Sequence, residues 1–417
     1  MALDRTASPG TGFDAAAFAA SFDLRSPPPG FIDNPYPFYH ALREHQPVRR
    51  MPDGSVFLTR HADLELVYRQ PLLFSSDKKA EFLPKFGDTL LYQHHTTSLV
   101  FNDPPLHTRV RTILKGALAN RTIAHMEPGI IALVDSLLDA GAAHGEMDLI
   151  EDFASAIPVE VIGNLLGVPH ADRGPLRGWS LSILGALEPV VPAAALAEAN
   201  QNVADFLDYL RDLVADRRAN LRDPDIDILS RLIIGEAGGE RLSETELLQN
   251  CIFLLNAGHE TTTNLIGNAL MTLLEWPAEK ARLIADPSLL DTAIEEFLRF
   301  ESSNQLGNRR VLTDTEVGGE ALPAGTLVTL CIGAANRDPA RFPDPDRLDL
   351  ARGANRHLAF ASGTHLCLGA NLARLEGRIA IGRFLARFPD YRLNAPAERS
   401  QRLRFRGFLR APVTLGC

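Results

Sequence analysis

Cysteine is scarce in this chain of 417 residues. Four occur, Cys251, Cys331, Cys367 and Cys417, far apart and with no C-x-x-C pair. That argues against a disulfide scaffold, a zinc ribbon or an iron–sulfur cluster, and fits a reducing cytoplasm. Long apolar runs are missing too. There is no stretch of 18 or more apolar residues and no basic-then-apolar leader, so neither a membrane anchor nor secretion is expected. No Gly/Ser linker, repeat or low-complexity block divides the chain. No GxGxxG fingerprint marks a bound flavin or nicotinamide. The formal charge of −10 argues against nucleic acid, whose phosphates need a concentrated basic surface. With 45% apolar residues the chain can bury one large core. The expected organisation is a turn-rich, loose arm over 1–30 followed by a single domain over 31–417.

Helical periodicity dominates, especially between Leu106 and Leu298. Strand-prone stretches lie near the two ends, at Ser55–Thr59, Gly325–Leu330 and Pro412–Leu415. The expected fold class is mainly α with small β-sheets. One helix stands out. Ser243 and Glu246 form a capping-box pattern, and Pro277 stops the run at Trp276. At 1.5 Å per residue it is roughly 50 Å long, enough to thread a core. Its middle reads Asn256-Ala257-Gly258-His259-Glu260-Thr261-Thr262-Thr263. Glycine and clustered threonine are costly in a helix interior, and threonine hydroxyls can bond back to the preceding turn and bend it. A core helix weakened at its centre suggests a functional opening.

Cys367 is the most informative cysteine. It sits in Phe360-Ala361-Ser362-Gly363-Thr364-His365-Leu366-Cys367-Leu368-Gly369, ahead of a helical run over Leu368–Leu385. Glycines on both sides let backbone N–H groups turn towards the sulfur, and a helix N-terminus favours the thiolate. A thiolate on haem iron donates electron density and favours O–O cleavage. An ordinary buried cysteine is the plain alternative, and it does not account for Phe, Gly, His and Arg374 at fixed offsets.

The decapeptide resembles the haem-binding loop of the cytochrome P-450 family, with Ala361 where the family has glycine. The resemblance extends over nearly the whole chain. It implies a cytochrome P-450 fold of one large domain, haem b on Cys367, and O2 as co-substrate. Phe360, Gly363, His365 and Gly369 are then haem-loop residues. Ala257 and Gly258 would let haem and O2 approach the helix backbone. Thr261 would be the alcohol and Glu260 the adjacent acid that deliver protons to the oxygen, with His259 a filler. His107, Arg111, Arg310 and His365 are implied partners of the haem propionates. Glu296, Arg299 and Arg347 would form a structural triad beneath the cysteine loop. Phe253, Asn256, Ala257, Leu306, Asn308 and Phe408 are the implied substrate wall. Ser302-Ser303-Asn304-Gln305 departs from the family's usual Ser-Pro-Val and leaves that loop's path open.

The implied activity is insertion of one oxygen atom from O2 into a C–H bond of a small organic substrate, by a cytoplasmic monomer. Lacking its own flavin or iron–sulfur site, the chain would take electrons from a separate ferredoxin or flavodoxin. Arginines near Cys367 and near His107 suggest a basic docking face. Amides at Asn256 and Asn308, with Asn304 and Gln305 nearby, suggest a moderately polar substrate. Lys78, Lys79, Lys85, His94 and His95 in the early loop would suit a substrate carboxylate, but solvated loop charge is the expected reading. A peroxide-driven haem-thiolate enzyme and a non-enzymatic haem sensor are the rival readings. The first typically lacks the acid–alcohol pair, and the second would need an output domain.

Overall fold

The computed structural model describes residues 12–224, 227–237 and 239–416. The long helix runs from Glu244 to Glu275 without interruption. Its start is set by the reciprocal bonds of the capping box: the Ser243 N–H donates to Glu246 at 2.8 Å and the Glu246 N–H to Ser243 Oγ at 3.2 Å. Its end is set by Pro277, which opens the next helix immediately after Trp276. The threonines relieve their hydroxyls on this helix's own carbonyls, Thr261 on Ala257 at 2.6 Å and Thr263 on His259 at 3.0 Å. The expected weakening therefore does not break the helix.

This helix is the axis of the largest core cluster. It packs against Ala156–Leu166, Leu176–Gly185, Ala193–Ala219 and Ala370–Arg387. Gly258 permits one of these contacts, since a Cβ there would lie 2.6 Å from Ile162 Cδ1. His259 is buried on the same side and bonds Ser155 Oγ through Nε2 at 3.2 Å.

A five-stranded sheet flanks the helical body. Val56–Leu58 pairs antiparallel with Val48–Arg50 and parallel with Leu327–Cys331. Leu306–Val311 then pairs antiparallel with Leu327–Cys331 and with Phe74–Ser75. Pro412–Thr414 joins a separate three-stranded sheet with Arg392–Leu393 and Glu146–Asp148. Of the arm expected to be loose, residues 1–11 lie outside the described residues. From Ala15 the chain is packed: the helix Ala15–Ser21 lies on Tyr36–His45 and buries Ala19, Phe22, Leu24 and Phe31 in their own aromatic cluster.

A buried ion cluster ties the helix Leu290–Phe300 to the segment before the cysteine loop. Arg299 donates to both oxygens of Glu296 at 2.7 Å, and both side chains are fully buried. The third member is Arg352, whose Nε reaches both Glu296 oxygens at 3.2 Å. Arg347, expected in that place, is exposed and offers only its backbone carbonyl to Arg299 at 3.4 Å. The turn around Asp344–Arg347 directs its carbonyls inward, and the chain must travel five residues further before a guanidinium can reach the carboxylate.

Breaking a buried pair costs about 3–5 kcal/mol, whereas an exposed substitution costs under about 0.5 kcal/mol. Thermal unfolding of the holoenzyme should therefore rank Glu296→Ala as most damaging, then Arg352→Ala, with Arg347→Ala close to wild type. The opposite order for the two arginines would return Arg347 to the cluster.

Candidate functional site

The cysteine loop is held by short backbone bonds. Cys367 N–H donates to the Phe360 carbonyl at 2.9 Å, and Ala361 N–H to the Leu358 carbonyl at 2.8 Å. Two residues in it take left-handed backbone conformations, Ala361 at φ 57° and Gly363 at φ 66°. At Gly363 glycine is required twice over, because a Cβ would lie 2.3 Å from the Tyr68 carbonyl oxygen. At Ala361 the loop keeps the glycine-type turn despite the methyl. The following helix begins at Ala370, slightly later than the periodicity implies. Cys367 is exposed and lines the cavity, while the surrounding protein desolvates its thiol and pushes it up. The Gly369 N–H and the charges of Arg111 and Arg374 act the other way.

Across the cavity from Cys367 stand Ala257, Gly258 and Thr261 of the central helix. Glu260, one residue away, is buried outside that lining. Arg402 Nη1 donates to its two oxygens at 2.7 and 2.8 Å, while Nη2 donates to the Leu181 carbonyl at 2.7 Å. Burial raises the Glu260 carboxyl to about 7 against the opposing pull of Arg402. Arg402 had no motif to mark it in the sequence; only the fold brings it 142 positions back to the helix.

His107 and His365 also border the cavity, with ring centroids 4.1 Å apart. Burial holds both neutral, His107 at about 4 and His365 at about 2. Arg111 donates to the Leu366 carbonyl at 2.7 Å. The arginine of Leu306–Val311 that lines the cavity is Arg309, not Arg310. Arg309 shares the buried face of the strand with Val311, and its long side chain reaches the cavity from there.

The implied substrate wall is brought together in part. Phe253, Asn256, Ala257, Leu306 and Asn308 line the cavity; Phe408 does not. Phe408 is buried in the strand Phe408–Arg410 under the Arg399 guanidinium, 4.2 Å from its ring centroid. The turn's tip lies earlier, so Arg404 and Phe405 face the cavity instead. The unusual Ser302–Gln305 loop is laced to this turn, Gln305 N–H donating to the Arg404 carbonyl and Arg406 N–H to the Ser303 carbonyl, both at 2.8 Å. Asn308 is satisfied internally by Thr329 and Arg404. Asn256 is not, because its Oδ1 is buried without a partner. Lys78, His94 and His95 are buried in the cavity wall rather than solvated, and Lys85 bonds the Glu188 carbonyl at 2.6 Å. Lys79 alone of that group remains exposed and paired with Asp77. No helix among the described residues is long and apolar enough to cross a membrane.

The family model for Cytochrome P450 matches residues 184–413. The chain is 40% identical over 394 residues to the Vitamin D(3) 25-hydroxylase of Pseudonocardia autotrophica, covering 93% of this chain and 95% of that protein. The chain belongs to the cytochrome P450 family. Cytochrome P450 monooxygenase PikC of Streptomyces venezuelae is 37% identical, over 88% of this chain and 87% of its own. The solved structure of P450BioI in complex with hexadec-9Z-enoic acid ligated Acyl Carrier Protein superposes with a TM-score of 0.87. It is 34% identical and covers 93% of this chain and 100% of that one. This P450 is accordingly an oxidoreductase of the monooxygenase kind, and its family uses haem iron and O2.

The residues present fit a haem. The P450 cavity runs from the Cys367 sulfur to a helix face whose side chains are no larger than a methyl at Ala257 and Gly258. At its edge the buried His107 Nε2 lacks any partner, beside Arg309, Arg111 and His365. These donors suit the two carboxylates of a porphyrin.

The left-handed conformation costs a non-glycine residue about 1 kcal/mol. Ala361→Gly should therefore raise the thermal midpoint of this P450 by a few degrees with an unchanged haem spectrum. Gly363→Ala, which drives a methyl into the Tyr68 carbonyl, should lower both the midpoint and the yield of haem-loaded protein. A neutral Gly363→Ala would show that the loop adjusts freely.

Proposed function

We propose that this P450 inserts one oxygen atom from O2 into a C–H bond of a small, moderately polar organic substrate. Haem b would be held by Cys367, and electrons would come from a separate ferredoxin or flavodoxin. The observation that carries this reading is a cavity lined both by Cys367 and by Ala257, Gly258 and Thr261 of the central helix. The bound haem supplies the iron at which O2 is reduced. His107, Arg111, Arg309 and His365 would hold its carboxylates.

The chain's own work is to bind, exclude water and move protons. Thr261 Oγ1 borders the cavity, and its bond to the Ala257 carbonyl leaves its lone pairs to orient a water. Glu260, raised to about 7, is divided between acid and carboxylate at neutral pH, as a proton donor should be. Arg402 holds it away from the cavity, so delivery requires that contact to open. This acid–alcohol pair favours O2 over peroxide as the oxidant.

On the cysteine side, Arg352, Arg374 and Arg378 are committed to Glu296, Glu295 and Glu127. Lys115, Arg121 and Arg356 are exposed and make no ion pair among the described residues. They support an acidic electron donor, whose association would slow as salt rises.

The primary test is the reduced carbon-monoxide spectrum, expected to show the strongly red-shifted Soret band of thiolate ligation in wild type and to lose it in Cys367→His. Persistence of the band in that variant would remove Cys367 as the ligand. Thr261→Ala should retain substrate binding while diverting reducing equivalents to peroxide.

Arg402 lowers the Glu260 pKa, so Arg402→Leu removes an opposing influence and that pKa must rise further above 7. The pH profile of product formed per O2 consumed should show a limb near 7 that moves to higher pH in the variant. An unmoved limb would take Glu260 out of proton delivery.

A further inference from the structure

The wall above Thr261 contains a chain of side-chain amides and one imidazole whose hydrogen bonds run in a single direction. Gln249 Nε2 donates to Gln93 Oε1 at 3.5 Å, which turns the Gln249 carbonyl oxygen towards His94 Nδ1, 3.0 Å away. A carbonyl only accepts, so Nδ1 carries the His94 proton. Burial holds this ring neutral, at about 4, so Nε2 is left with a bare lone pair. Asn256 Nδ2 lies 3.4 Å from that nitrogen and supplies the donor it needs. Asn256 is thereby oriented, and its Oδ1 is buried with no partner at all. Asn256, His94 and His95 all line the cavity, where His95 Nε2 is also buried without a partner.

An unsatisfied buried carbonyl costs about 1–3 kcal/mol. Reversing the chain would require Gln93, Gln249 and Asn256 to flip and His94 to change tautomer together. We infer that Asn256 Oδ1 is a specificity-determining acceptor, aimed by His94 and Gln249, that selects substrates presenting a hydroxyl or N–H donor over matched carbonyl compounds. This rests on the oxygenase reading with a polar substrate and narrows it, from any polar group to a donor. The cavity's other two amides are already engaged: Asn308 bonds Thr329 and Arg404, and Asn304 Oδ1 accepts the Leu306 N–H at 3.4 Å.

The test uses haem-loaded protein and two probe sets measured by calorimetry: 2-adamantanol, 2-adamantanone and adamantane, and 5α-androstan-17β-ol with its 17-ketone and parent hydrocarbon. In wild type the alcohol should bind roughly five- to a hundredfold more tightly than its ketone. Asn256→Val should bring alcohol and ketone to within about twofold of each other while leaving ketone affinity in place, which also reports an intact fold. His94→Leu frees the amide to turn its NH2 into the cavity, so it should narrow the ratio without abolishing binding. Equal affinities in wild type, a preference for the ketone, or a ratio unmoved by Asn256→Val would each overturn the inference, as would failure of both probe sets to bind. The carbon-monoxide band of every variant is recorded alongside. Its loss would instead count against the oxygenase reading itself.

Discussion

The carboxylate of Glu296 is the point from which the architecture around the cysteine is hung. It is fully buried, and its two oxygens accept from Arg299, Arg352, the Asp349 N–H and the Asn355 amide. Arg299 spends its remaining hydrogens on the carbonyls of Asn336, Pro345 and Arg347. Asn336 in turn accepts the Leu358 N–H at 2.7 Å, at the head of the cysteine loop. A charge this deep is tolerable only when each lone pair is engaged. Every engagement fixes one strand of a segment with little regular structure of its own. The rigidity of the Cys367 loop is therefore inherited from a helix seventy positions earlier.

What could be read from the sequence follows a physical divide. Local signals held: the capping box, the Pro277 stop and the three strand-prone stretches each depend on neighbours a few residues away. The family likeness was also legible, because its motifs are short and specific. Errors fell where two distant segments meet. Arg347 and Arg352 are equally plausible partners for Glu296 in one dimension, and only the path of the turn decides between them. Arg309 and Arg310 differ by strand register, which adjacent arginines do not reveal. Phe408 and Phe405 differ by where a turn reverses. His94 and His95 read as solvated loop charge because burial of an imidazole leaves no periodic trace in a short helix. The Arg402–Glu260 contact, 142 positions apart, had no local signature.

The turn near the C-terminus carries arginines at alternate positions, and each leads to a different part of the molecule. Arg402 reaches the acid of the central helix, Arg404 reaches Asn308 and the Leu306 carbonyl, and Arg406 reaches Glu301 and the carbonyls of Ile32 and Asp33. Glu188 closes the arrangement by accepting the Leu403 and Arg404 N–H groups. Exchanging this turn for another would change the wall that Arg404 and Phe405 present to the cavity. In this chain the exchange would not be modular. Replacing the tip that carries Phe405 would also remove the guanidinium that restrains Glu260, so under the proton-delivery role proposed for Glu260 a redesigned pocket and a leakier oxygen chemistry would arrive as one change. The cavity wall and the restraint on Glu260 are built from the same five residues, 402–406.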